Sequence, residues 1–169
     1  MPEISVFQVV AVPLLIFAAA RDIATRLIPD GVSIAIALAG LASRLMLGWT
    51  EAGLSLALGV LLFAAMLPLA MRGWFGGGDV KLISAMAVGL APHETWLFIV
   101  ATVFAGGVLG VAYIVARNLV PETRVVEGGT LLRRVLAVEA WRVRRRGPLP
   151  YAVAIATGGL IVLYTQTGI

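Results

Sequence analysis

The chain has 169 residues, of which 60% are hydrophobic and 13% charged, whereas a soluble domain is about 45–50% apolar and about 25% charged. That excess excludes a single water-facing core, and the absence of cysteine excludes disulfides, thiol chemistry and cysteine-ligated zinc. The net charge of +4 comes from basic residues that track the edges of apolar blocks, which points to a membrane and not to nucleic acid.

Six apolar blocks follow one another, at 4–20, 31–47, 53–71, 80–91, 95–116 and 149–167. Only helices and closed barrels satisfy backbone polar groups in lipid, and the lack of period-2 alternation rejects a barrel. The sequence therefore predicts an all-α polytopic membrane protein, one domain over 1–169, with six transmembrane helices. The first block is followed by Arg21 and Arg26 and preceded by Met1-Pro2-Glu3. A signal peptide has the opposite charge order, so Ala18-Ala19-Ala20 is not a cleavage site and the block is a retained span.

Lys and Arg concentrate in short cytoplasmic loops. With the N-terminus outside, twelve of the 13 basic residues fall inside, and only Arg44 is outside, close enough to its helix end to snorkel. Both termini are then expected in the periplasm. The polar stretch 118–147 is expected in the cytoplasm, where Leu132, Val135, Leu136 and Trp141 recur among arginines as in a basic amphipathic helix on anionic lipid. Gly106-x-x-x-Gly110 in the fifth block and Gly158-Gly159 in the sixth are expected to let helices approach closely. The single histidine, His93, has no clustered partners and predicts no metal site.

Six of the nine acids fall in predicted loops: Glu3, Glu51, Glu94, Glu122, Glu127 and Glu139. Asp22 closes the first block, Asp30 opens the second, and Asp79 stands between Gly76-Gly77-Gly78 and the fourth. Acids at membrane depth are costly and mark function. From Asp79 to Ala91 a helix rises only about 20 Å, short of a hydrocarbon core about 30 Å thick. Asp79 is thus expected below the cytoplasmic surface, on a short broken helix preceded by an irregular glycine loop of the kind that survives there only when it lines a cavity or is buried.

Asp22 reaches the same boundary. Two carboxylates sharing a site ionise in coupled steps, which leaves one base to activate water and one acid to protonate a leaving group. Helix dipoles favour charge on Asp79, at an N-terminus, over Asp22, at a C-terminus, so Asp79 is expected to be the base. Each residue also has a plainer role: Asp22 paired with Arg26 at i+4, Asp30 as a helix cap after Pro29, Asp79 as an N-cap. Arg26, Asp30 and Lys81 are candidate substrate or headgroup contacts; Lys81 lies on nearly the opposite helix face from Asp79.

Gly76-Gly77-Gly78-Asp79-Val80-Lys81-Leu82 resembles the GxGD signature of the type IV prepilin peptidases. Asp22-Ile23-Ala24-Thr25-Arg26-Leu27-Ile28-Pro29-Asp30 resembles their first-aspartate motif, with Asp30 where Asn is usual, and Pro150-Tyr151 resembles the opening of their last helix. The resemblance implies catalytic roles for Asp22 and Asp79 in a bacterial inner-membrane protease. Such an enzyme cuts prepilins or pseudopilins, substrates with a basic leader and a hydrophobic helix, on the cytoplasmic side after a glycine. It needs no cofactor. With no cysteine-rich domain, the chain is similar to the compact, peptidase-only branch serving tight-adherence (Flp-type) pili, without N-methylation.

Two other classes use similar equipment. Broken helices with intramembrane acids also build ion- or proton-coupled transporters, and a non-catalytic subunit of a secretion or pilus machine would use its acids only to pair with arginines. Small size, boundary aspartates and no inverted repeat argue against the first; Asp79→Asn would be silent in the second.

Overall fold

A computed structural model describes residues 5–119, 130–145 and 147–165. The described residues form seven helices: α1 (Val6–Thr25), α2 (Asp30–Leu47), α3 (Trp49–Met71), α4 (Gly77–Gly89), α5 (Pro92–Leu119), α6 (Leu131–Arg144) and α7 (Tyr151–Thr165). There is no strand among them. Four, α1, α2, α3 and α5, are long and apolar enough to cross a membrane, whereas α7 is apolar but shorter. The expected positions of Glu3, Glu122, Arg124, Glu127 and Arg146, and of both chain ends, lie outside the described residues.

α4 is the centre of the bundle, packed by α2, α3, α5 and α7. From Val80 to Gly89 every residue but Lys81 is buried, as expected of a helix that is apolar all round. Its neighbours are held close by small residues. A Cβ on Gly40 of α2 would meet the Gly89 Cα at 2.5 Å, and one on Gly158 of α7 would meet the Thr102 backbone N of α5 at 2.7 Å. Gly106 packs on Tyr151, while Gly110, the second half of the expected motif, has nothing within contact range.

α4 begins two residues earlier than its apolar block, because Gly77 and Gly78 already have helical geometry and Gly76 is the N-cap. Of the expected glycine loop only Gly76 stays outside the helix; the break is the turn over 72–76. There α3 ends in a Schellman motif: Trp74 N–H donates to the Leu69 carbonyl and Gly73 N–H to Ala70, with Gly73 at φ 77°. Glycine adopts that conformation without steric cost.

The far end of α4 is closed by a buried polar network. Ser55 Oγ donates to the Leu90 carbonyl at 2.9 Å, Arg44 Nε donates to Ser55 Oγ at 2.9 Å, and Arg44 also pairs with Glu51. Arg44 is only 7% exposed. The expected snorkelling is therefore wrong: a helix too short to span leaves carbonyls inside the bundle, and their partners must come from side chains.

Asp30 does not cap α2 either. Pro29 occupies the cap position without a side-chain bond, and Asp30, one residue on, accepts from Lys81 Nζ at 2.7 Å on the surface.

Candidate active site

α1 runs on to Thr25, so Asp22 lies in its last turns and is buried. The α1 terminus is fixed by other elements. Arg26 takes the left-handed C-cap conformation (φ 59°), its N–H donating to the Asp22 carbonyl. From α6, Arg142 Nη1 donates to the Ile23 carbonyl at 2.8 Å and Nη2 to Ala24 at 3.4 Å. Two carbonyls that a helix end leaves unpaired are thereby satisfied.

The Asp22 side chain points to α7. Its Oδ2 accepts the Ala152 backbone N–H at 3.0 Å, in the first turn of that helix, where the dipole favours a negative group. Asp79 stands in the first turn of α4. Both carboxylates therefore sit at a helix N-terminus, and the expected division of roles by dipole loses its basis.

Asp22 and Asp79 line one cavity of about 550 Å³, together with Arg26, Gly76, Phe75 and Tyr151. Asp79 lies within reach of the Asp22 charge. Asp79 Oδ1 is sealed from solvent and has no hydrogen-bond partner among the described residues, while Oδ2 lies over Gly76, where a Cβ would come within 2.6 Å of it. Phe75 and Tyr151 meet edge to face, with ring centroids 5.6 Å apart. Asp22 has no ion pair with Arg26 among the described residues; the partner of Arg26 is Glu139.

Asp30 and Lys81 are not brought to this cavity. Their pair, 65% and 45% exposed, edges a separate apolar groove between α2, α3 and α4, and an exposed pair of that kind contributes about 0–1 kcal/mol. Glu139, expected as a loop acid with no role, lies within α6. It accepts from Arg26, from Tyr113 and, at 3.3 Å, from Arg142. The clue was chemical: an acid retained among eight arginines at 117–146 on an amphipathic stretch. Elsewhere on α6, Leu136 and Trp141 are exposed and Arg145 stacks on the Trp141 ring at 4.8 Å.

A helical bundle with four helices long and apolar enough to cross a membrane, and with two acids lining one cavity, defines a membrane protein with a two-carboxylate site. A sequence model of the type IV leader peptidase family matches residues 9–111, and the chain belongs to that family. The matched stretch contains both aspartate motifs. No curated protein and no solved structure matches the chain.

The glycines before Asp79 are not equivalent. A methyl at position 76 meets the Asp79 carboxylate, at position 78 it meets Ile28 at 3.1 Å, and at position 77 it meets nothing within 4 Å. Because the atom struck by a Gly76→Ala methyl is a rotatable carboxylate oxygen, the carboxylate turns and the fold keeps its stability. Gly76→Ala is expected to lose most peptide cleavage at nearly unchanged Tm, and Gly77→Ala to keep both. Equal activity in the two variants would contradict this placement.

Proposed function

We propose that the protein is a prepilin leader peptidase in which Asp22 and Asp79 are the acid–base pair. One carboxylate takes a proton from the attacking water, and the other, protonated, delivers its proton to the departing nitrogen. The observation that carries this reading is the common cavity that both acids line, with Asp79 closing a segment whose sequence resembles GxGD.

The topology proposed with it has six spans: the four long helices, with α4 and α7 completing the set as shorter helices packed among them. Basic residues at 21, 26, 72, 81 and along 117–146 put the cavity on the cytoplasmic side and both termini in the periplasm, in the inner membrane of a bacterium. The substrate is a prepilin or pseudopilin whose basic leader stays at the cytoplasmic face while its hydrophobic helix lies in the bilayer. The α1–α2 connection spans only residues 26–29, leaving no room there for a cysteine-rich domain, and the chain has no cysteine. Cleavage without N-methylation, in the manner of the Flp-type branch, follows.

Co-expression with a prepilin tests this. A shortened pilin with an unmethylated new N-terminus, read by mass spectrometry, is the expected product. A substrate left at full length beside correctly inserted enzyme would overturn the reading.

A further inference from the structure

A second cavity, of about 230 Å³, adjoins the one that holds Asp22 and Asp79. Phe75 and Tyr151 line both, so the two spaces share a wall built from rings that meet edge to face. The second space lies between α3 and α5, which touch each other only sparingly. Leu62 and Met66 come from the one helix and Ile99 from the other, together with the buried Ile83 of α4 and Phe98 of α5. Val103, also in the lining, is 59% exposed, so the space reaches the outer surface of the bundle. The groove between α2, α3 and α4, by contrast, shares no lining residue with the catalytic cavity among the described residues.

No charged residue lines this second space among the described ones, and its polar side chains are Thr102 and Tyr151 alone. Such a surface excludes a basic segment, whose charges would lose their hydration with no partner in return. Size narrows the occupant further. An apolar cavity of about 150 Å³ holds benzene, and pockets for drug-sized molecules begin at about 300 Å³, so 230 Å³ suits one large apolar side chain. The bond cut under the proposed function joins a basic leader to a hydrophobic helix, and only the helix side supplies such a group. Neighbouring residues of an extended chain stand about 3.3–3.6 Å apart, so the residue next to the cut bond is the one placed to reach across a shared wall.

We propose that this cavity is the specificity pocket of the enzyme and receives the side chain of the first substrate residue after the cut bond. The inference rests on the peptidase reading above and names the part of the substrate that the apolar space recognises. The substrate helix lies in lipid along the gap between α3 and α5, and its first side chain enters past Leu62 and Ile99. The backbone crosses the edge of the Phe75–Tyr151 wall and presents its carbonyl to the two aspartates. Leu62, Met66, Ile83 and Ile99 are then specificity residues, which touch the substrate beside the reacting bond and take no part in the chemistry. A hydrophobic pocket of this kind discriminates by about 10–200-fold for a single missing methylene.

The test uses full-length enzyme in nanodiscs and prepilin peptides alike except at the residue after the scissile bond, which is alanine, leucine or phenylalanine. The native enzyme is expected to cut the leucine and phenylalanine peptides with kcat/KM at least about tenfold above that of the alanine peptide. Ile99→Trp fills the pocket from α5 and is expected to lower that ratio at least about tenfold on the same grounds. Leu62→Trp fills it from α3 and carries the test if Ile99→Trp fails to fold. Val60→Trp, in the separate groove between α2, α3 and α4, is expected to keep the native ratio. Because the readout is a ratio between peptides, general damage to the enzyme lowers all of them together and leaves it unmoved. An indifferent native enzyme, the native ratio in a folded filled variant, or an equal shift in Val60→Trp would overturn the proposal. If Asp22→Asn and Asp79→Asn are inert while the native enzyme does not discriminate, this inference alone fails; if the aspartate variants cut normally, the reading beneath it falls as well.

Discussion

Asp79→Asn is expected to abolish prepilin shortening while leaving the protein at least as stable as the native chain. One positioned acid or base contributes about 10²–10⁴-fold to a rate, and an amide does neither task. The fold should not suffer, because Asp79 Oδ1 has no hydrogen bond to lose among the described residues and burial of a charged group costs stability that a neutral amide does not. Asp22→Asn should behave alike, since the amide oxygen still accepts the Ala152 N–H now held by Oδ2. Thermal unfolding in detergent alongside the cleavage assay separates loss of chemistry from loss of structure. Normal processing by either variant, or collapse of both on purification, would contradict the assignment. A silent Asp79→Asn is also what a non-catalytic assembly subunit would give.

Gly40→Ala is expected to have the largest effect on stability. Its methyl would lie 2.5 Å from Gly89 Cα and 2.7 Å from Gly89 N, and these backbone atoms belong to the buried end of α4. They cannot turn aside as a side chain does. Gly89 is itself covered by the Phe7 ring, only 2.2 Å from where its own Cβ would stand, so α1, α2 and α4 would all have to move. Overpacking of this kind costs about 1–3 kcal/mol, occasionally more. A clear fall in Tm is expected for Gly40→Ala, whereas Gly53→Ala, with nothing within 4 Å, should hold or raise it, alanine being the better helix former by about 1 kcal/mol. Equal Tm values for the two would mean that α2 and α4 do not cross at this point.

The contrast between these glycines shows what the sequence conceals. Long apolar blocks made the long helices legible, since length and continuity are properties of the chain itself. The short α4 was legible too, from the distance between Asp79 and Ala91. Gly40 and Gly89 were not, because each stands outside any glycine motif on its own helix and nothing local marks a crossing. The visible Gly106-x-x-x-Gly110 pattern, by contrast, uses only its first glycine for packing. Arg44 misled for a related reason. A single arginine near a helix end has the composition of a snorkelling residue, and the Leu90 carbonyl that it serves through Ser55 Oγ lies 46 positions away, at the end of another helix.

The site divides in the same manner. Asp22 and Asp79 stood out because acids are rare in apolar surroundings and each had a motif around it. Arg26 stood beside them as a basic residue of the first motif, but its partner did not. Glu139 lies in a segment where basic residues dominate, and its role depends on α6 folding back against the ends of α1 and α5. The Ala152 N–H is a backbone group with no sequence signature at all. It nevertheless removes the dipole argument for the expected role of Asp22, which lies near the end of one helix and bonds to the start of another.

Because the native chain contains no cysteine, thiols placed at two positions report without background. In the Asp22→Cys, Asp79→Cys double variant, in sealed inner-membrane vesicles with the cytoplasmic face outward, a short bifunctional thiol reagent is expected to join the two residues within one chain. Each single variant is expected to react with a membrane-impermeant thiol reagent from that face. Failure to join them, or reaction of either residue only from the periplasmic side, would contradict a shared chamber open to the cytoplasm.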